Sequence, residues 1–226
     1  MIKAVIFDMY ETLITHYESP IYFGKEIAMD AGMPVENFQK VWMETFSERT
    51  VGKISFEEIL EKIFKENDCY SEELMSLVLA KRMAVKEDCF RHLHNEILPM
   101  LEALKENGIK IGLISNCFSE EVTAIRNSIL YPYFDAPLLS YEEKLQKPEA
   151  EIFERCMTRL GVKPEECLYI GDGGSFELEA ATKVGMKAMQ AVWYLREGTS
   201  QHSKPRDDFE QLKTPMDVID EVKNRG

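Results

Sequence analysis

Residues Ala4–Phe7 read AVIF, and the run stops abruptly at Asp8. A short, continuous, partly β-branched apolar run describes a strand covered on both faces, the kind found in parallel sheets. Four later segments repeat the pattern. Ile109–Ile114 ends at Ser115-Asn116, Ala136–Leu139 ends at Ser140, Cys167–Ile170 ends at Gly171-Asp172, and Ala188–Trp193 follows Gly185. Helical periodicity fills the intervals. Leu98–Lys105 stops at Asn107-Gly108, Glu149–Leu160 at Gly161 and Phe176–Val184 at Gly185, with glycine in its usual place just past a helix end. Strand and helix in alternation predict an α/β fold, a Rossmann-like core on a parallel sheet.

One stretch breaks the alternation. From His16 to Val85 there is helical periodicity and little strand signal. Helices are expected over Ile21–Ala31, Val35–Arg49, Phe56–Asn67 and Ser71–Val85. Ser55 followed by Glu58 is a capping-box start for the third. Phe38, Trp42 and Phe46 lie at helical spacing and are expected to fill the interior of this unit. The expected organisation is therefore an α/β core from residues 1–15 and 86–226, with a helical insert at 16–85. Gly198–Asp208 reads as a polar loop. Thr214 and Pro215 then read as N-cap and first residue of a last helix through Lys223.

The chain has 226 residues, 45% of them hydrophobic, enough for a core without staples. Charge narrows the partners. Its 27 basic residues face 40 acidic ones, a net charge of −13. Such a surface repels phosphate backbones and anionic lipid, so neither nucleic acid nor membrane is expected as a partner. A small anionic substrate is allowed only through a local cationic site. The five cysteines are an odd number without a C-x-x-C pair, and are expected to be reduced. The N-terminal apolar run is too short for a signal peptide, and no stretch approaches the ~18 apolar residues of a membrane span. A cytoplasmic location is expected.

In open α/β sheets, ligands bind beyond the carboxyl ends of the strands. Asp8, Tyr10 and Thr12 follow the first strand, Ser115 and Asn116 the second, and Gly171-Asp172 the fourth. Lys147 lies in a loop before a helix. A carboxylate pair, hydroxyls, an amide and one lysine on one edge amount to a nucleophile, a potential metal site and an anion clamp.

Four motifs carry a family resemblance. They are Phe7-Asp8-Met9-Tyr10-Glu11-Thr12-Leu13, Ile114-Ser115-Asn116, Lys147-Pro148 with Ile152-Phe153, and Gly171-Asp172-Gly173-Gly174-Ser175-Phe176-Glu177. In that order they resemble the haloacid dehalogenase superfamily of hydrolases, whose small helical cap is inserted just after the first motif. The resemblance implies an enzyme that forms a covalent intermediate on Asp8. It implies Mg²⁺ held by Asp8, Asp172 and the backbone carbonyl of Tyr10, with Glu177 orienting metal-bound water. Ser115, Asn116 and Thr12 would contact a small phosphorylated or otherwise anionic substrate. Lys147 would neutralise developing charge and hold Asp8.

Tyr10 departs from the phosphatase pattern. Family phosphatases carry there an aspartate that acts as general acid and base, whereas a tyrosine is typical of the haloacid dehalogenases. Those attack carbon, need no metal and depart from Gly-Asp at the fourth motif, which this chain keeps. The reading favoured is a Mg²⁺-dependent phosphatase. The alternatives are a 2-haloacid dehalogenase, or a catalytically weak phosphate-binding or partner-binding protein. Glu11 stands where glycine is commoner. Glu177 reads equally as an ordinary first-turn helix acid. Arg49 reads as a solvated or salt-bridged residue, Cys117 as a packing thiol, and His92 with His94 as no metal signature.

Overall fold

The computed structural model describes residues 1–196 and 203–225. The strands are β1 (Ala4–Phe7), β2 (Lys110–Ser115), β3 (Ala136–Leu139), β4 (Cys167–Gly171), β5 (Lys187–Ala191) and β6 (Gln211–Leu212). Among the described residues these six make one parallel sheet in the order β3-β2-β1-β4-β5-β6. The first strand is thus central, with Phe7 opposite Leu113 on one side and Ile170 on the other. Its alternation explains the uninterrupted apolar run. Val5 and Phe7 enter one core cluster, Ala4 and Ile6 the cluster on the opposite face, so no position is left for a polar residue.

Between β1 and β2 lie α1 (Gly24–Asp30), α2 (Val35–Glu44), α3 (Phe46–Thr50), α4 (Phe56–Glu66) and α5 (Glu72–Asp88). Helices α1, α2, α4 and α5 pack around a third cluster that includes Phe38, Ile59, Ile63 and Phe64. The Ser55/Glu58 capping box forms as expected: Glu58 N donates to Ser55 Oγ at 3.2 Å and Ser55 N to Glu58 Oε2 at 2.7 Å. The expected helix Val35–Arg49 is broken at Thr45, whose hydroxyl donates to the Val41 carbonyl at 2.8 Å. Such back-bonding competes with a straight helical path. Phe46 consequently leaves the interior, is 44% exposed, and meets Phe118 edge-on.

The remaining helices are α6 (Ile97–Glu106), α7 (Ser119–Arg126), α8 (Ser140–Glu143), α9 (Ala150–Leu160), α10 (Glu177–Lys183) and α11 (Asp217–Asn224). Helices α6, α7 and α11 supply one sheet face, α9 and α10 the other. The last helix starts later than Thr214. Asp217 folds back and accepts from Lys213 N and Thr214 N at 2.7 and 2.9 Å, which fixes a turn before it. The fifth strand stops at Ala191, because Trp193 turns its indole N–H to the Thr12 carbonyl at 2.8 Å. Of the expected polar loop, residues 198–202 lie outside the described residues. Among the described residues no helix is long and apolar enough to cross a membrane.

The helical unit meets the strand ends along a seam with two differently built edges. On one edge, α5 and α7 exchange buried ion pairs: Arg82 with Glu120 at 3.1 Å, and Lys86 with Glu121. On the other edge the links are neutral or exposed. Ser140 Oγ donates to the Thr50 carbonyl at 2.9 Å, Lys144 Nζ to the Gly52 carbonyl at 2.8 Å, and Gln146 Nε2 to Ser47 Oγ at 3.2 Å. Gly52 is required there. Its φ is +65°, and a Cβ would strike the Tyr141 carbonyl. Ser140 is fully buried and also accepts from Cys117 N at 2.9 Å. Ser140→Ala leaves a buried N–H and a carbonyl without that partner, so urea unfolding should show a loss of about 1–3 kcal/mol. A variant as stable as wild type would show that the seam does not depend on this hydroxyl.

Candidate active site

Asp8 follows directly on β1, and its backbone N–H continues the sheet to the Ile170 carbonyl at 2.9 Å. The carboxylate is therefore held by the sheet itself, 6% exposed. Lys147, 4% exposed, pairs through Nζ with Asp8 Oδ1 and with Glu177 Oε2, the second at 2.5 Å. Thr12 is fully buried, and its hydroxyl points to Asp8 Oδ2 at 3.5 Å. Thr12 thus meets the carboxylate itself.

Asn116 is committed to the backbone of Lys147. Its Oδ1 accepts from Lys147 N at 2.8 Å, and its Nδ2 donates to the Lys147 carbonyl at 3.0 Å. That reciprocal pair fixes the start of the lysine side chain and leaves little of the amide for a ligand. Ser115 is fully buried, and its Oγ has no hydrogen-bond partner.

Glu177 opens α10 but is not a surface acid of a first turn. It is 1% exposed. Oε2 accepts from Tyr169 Oη at 2.8 Å as well as from Lys147, and Oε1 accepts from Gly173 N at 3.2 Å. The carboxylate fits because residue 171 has no side chain: a Cβ on Gly171 would collide with it. Asp172 is buried too, and its Oδ1 accepts from Gly174 N at 2.9 Å. Among the described residues no cation pairs with it.

Oxygen atoms of Asp8, Asp172 and Glu177 lie within 4.8 Å of one another. Three carboxylates around one ammonium carry excess negative charge, and the titration behaviour follows. Burial opposes the charge on Lys147, but Asp8 and Glu177 outweigh it and hold the ammonium well above the usual lysine range. Burial, then the neighbouring charge of Asp8, push Glu177 up to about 8. Burial also moves Asp8 upward against the pull of Lys147. A hard oxygen donor set with surplus negative charge fits a hard divalent cation.

Tyr10 stacks on His16 with centroids 4.5 Å apart, and its buried hydroxyl has no partner. Burial and then Glu121 push the phenol well above its ordinary range, so it is neutral at physiological pH. Glu11 has φ +60°, the left-handed conformation that explains why glycine suits this position. Its carboxylate accepts from Thr15 Oγ1 at 2.6 Å and His16 N at 3.0 Å, which offsets part of the strain. Cys117 is a buried thiol pushed upward by burial, in keeping with a packing role. Arg49 differs from expectation: it is 1% exposed, and among the described residues no carboxylate comes within ion-pair distance. Tyr169, which sequence reasoning missed, had one signal, a phenol inside a strand buried on both faces, where a hydroxyl needs a partner.

The buried carboxylate–lysine–carboxylate cluster lies at the carboxyl ends of a parallel sheet, where open α/β folds bind their ligands. The sequence matches the haloacid dehalogenase-like hydrolases over residues 2–185, and the chain belongs to that family. It is 27% identical to a glyceraldehyde 3-phosphate phosphatase of Methanopyrus kandleri over 99% of this chain and 98% of that protein. Its fold is similar to a haloacid dehalogenase-family enzyme of Bacteroides thetaiotaomicron solved with magnesium and inorganic phosphate. The TM-score is 0.66 at 21% identity, covering 89% of this chain and 98% of that one. It is also similar to the L-2-haloacid dehalogenase of Xanthobacter autotrophicus, with TM-score 0.62 at 18% identity over the whole of both chains.

The Glu177 shift has a consequence for stability. Its folded pKa of about 8 lies above the unfolded carboxyl value of about 4.3, so between these values the folded state binds more protons. Stability in chelator should therefore fall as pH rises from about 5 to 8. In Glu177→Gln that fall should be smaller, read from urea midpoints at several pH values. An identical slope in both proteins would refute the assignment.

Proposed function

We propose that the chain is a Mg²⁺-dependent phosphatase that transfers the phosphoryl group of a small phosphorylated metabolite to Asp8 and then to water. The observation that carries this reading is the buried trio of Asp8, Asp172 and Glu177 around Lys147. Asp8 and Asp172, with the Tyr10 carbonyl, would hold the cation, and Glu177 would support it from behind. When bound, Mg²⁺ supplies charge neutralisation that lets an anionic nucleophile meet a phosphate ester. The helical unit of residues 16–85 serves as a cap over the site. The glyceraldehyde 3-phosphate phosphatases among the relatives support a substrate of about triose size.

The chemistry of this chain's residues follows from their surroundings. The Asp8 carboxylate attacks phosphorus, and the ester oxygen departs with the bonding pair and takes up a proton. Water then cleaves the aspartyl-phosphate, releasing inorganic phosphate and regenerating Asp8. Lys147 stays charged throughout and offsets negative charge at Asp8. Ser115 Oγ, buried without a partner, offers a donor to a phosphoryl oxygen.

Proton transfer is the weak point. A positioned acid/base typically contributes roughly 10²–10⁴-fold, and the neutral Tyr10 phenol cannot accept a proton from water at pH 7. The second step is therefore slow. Tyr10 also favours a second reading, carbon–halogen hydrolysis, which the acidic trio opposes.

Asp8→Asn should abolish turnover with the fold intact, and chelation should remove phosphate release. Rapid quench with labelled acyl or aryl phosphate should trap phosphate on the Asp8 peptide. Tyr10→Asp should raise alkyl-phosphate turnover by at least about 10-fold. Chelator-insensitive halide release from a 2-haloacid, with no phosphate release, would sink the phosphatase reading.

A further inference from the structure

Arg49 is the last but one residue of α3, and its guanidinium is only half used. Nη2 donates to the Trp42 carbonyl at 2.7 Å, and Nε reaches Thr45 Oγ1 at 3.4 Å. Nη1 is buried with no partner. The Trp42 ring lies against it with its centroid 3.4 Å from Cζ, and the Phe118 ring, inclined by 67° to Trp42, lies at 4.3 Å. Trp42 belongs to the helical unit and Phe118 to the loop after β2, so the guanidinium touches both units.

The nearest acids do not partner Nη1. Glu120 is held by Arg82, with Nε to Oε1 at 3.1 Å, and Glu121 by Lys86. Arg49, Arg82 and Lys86 thus face two carboxylates, which leaves one positive charge over. His16, beside Lys86, does not add to it, because burial and then Lys86 push its imidazole well below the usual range. Burial likewise weakens the charge on Arg49, down to a pKa of about 10. A buried guanidinium with an unfilled N–H and no counter-ion is strongly disfavoured unless an anion completes it.

Two orphan hydroxyls stand nearer the Asp8 strand. Ser115 Oγ, three residues before Phe118, and Tyr10 Oη are both buried without partners. Ser115 ends β2, the neighbour of the strand that delivers Asp8, and Phe118, three residues on, carries Arg49 against its ring, so one short loop joins the two positions.

Resting on the phosphatase reading, we propose that Arg49 anchors a carboxylate at the far end of the substrate, so that the substrate class is phosphorylated hydroxy acids. One feature favours a carboxylate over a second phosphate: the single surplus positive charge matches a monoanion. Arg49 is a binding residue and takes no part in bond making.

The test uses matched esters, 2-phosphoglycolate and ethyl phosphate, which differ in a carboxylate against a methyl group. Calorimetric titration in Mg²⁺ buffer, in the Asp8→Asn background so that neither ester turns over, should show the carboxylated ester bound at least about tenfold more tightly. With Arg49→Met added, that ratio should collapse to near one. Arg49→Lys keeps the charge without the planar edge and should fall between. It also carries the test if the Met variant does not fold. A ratio near one with Arg49 present, or a ratio unchanged in the variants, overturns the proposal. Phosphate release from p-nitrophenyl phosphate is followed in parallel with Asp8 intact. If release is absent but the binding ratio behaves as stated, the phosphatase reading fails while the carboxylate anchor stands.

Discussion

The buried ammonium of Lys147 is the interaction on which the rest of the site depends. It lies between Asp8 and Glu177, two carboxylates brought together by different strands. Without it, like charges would face each other in a water-poor space, which is strongly unfavourable. Much of the local architecture serves to put Nζ there. Asn116 grips the lysine backbone from the end of β2, and Tyr169 supports Glu177 from within β4. Gly171 leaves the room that the Glu177 carboxylate fills. One cation cannot neutralise three acids, and this surplus is what suits the site to a divalent ion.

The seam next to it has the opposite balance. There cations outnumber carboxylates, although the whole chain carries −13. A strongly acidic protein that acts on an anion needs such a local reversal, and the buried Arg49, Arg82 and Lys86 provide it. Tyr10, two residues past Asp8, is a neutral ring stacked on a neutral imidazole, with Lys86 Nζ 5.2 Å from its centroid. Where a carboxylate at this position would act in proton transfer, the chain has placed an aromatic wall instead.

Much of this was legible in the sequence, for physical reasons. Strands buried on both faces have no alternative but continuous apolar runs, so five of the six strands could be found from the sequence. The sixth is the two-residue Gln211–Leu212, too short for any pattern. Polar residues that interrupt such runs stand out, which is why Asp8, Ser115 and Asp172 were visible. Side-chain partnerships were not. Nothing in the sequence separates an Asn116 that binds a ligand from one that ties down Lys147. Nor does it show that Glu177 turns inward, or that Arg49 lies against two rings instead of in water. The break at Thr45 was hidden because a threonine that bonds its own helix leaves the apolar spacing unchanged.

The unequal edges of the seam decide which contacts yield first. Buried ion pairs between α5 and α7 resist separation, whereas the links at Thr50, Gly52 and Ser47 are single hydrogen bonds, two of them exposed to water. Separation of the two units would therefore break the neutral edge first and keep the charged edge together longest. An anion bound at Arg49, as proposed, would add a contact between the two units, because the same guanidinium touches Trp42 on one and Phe118 on the other.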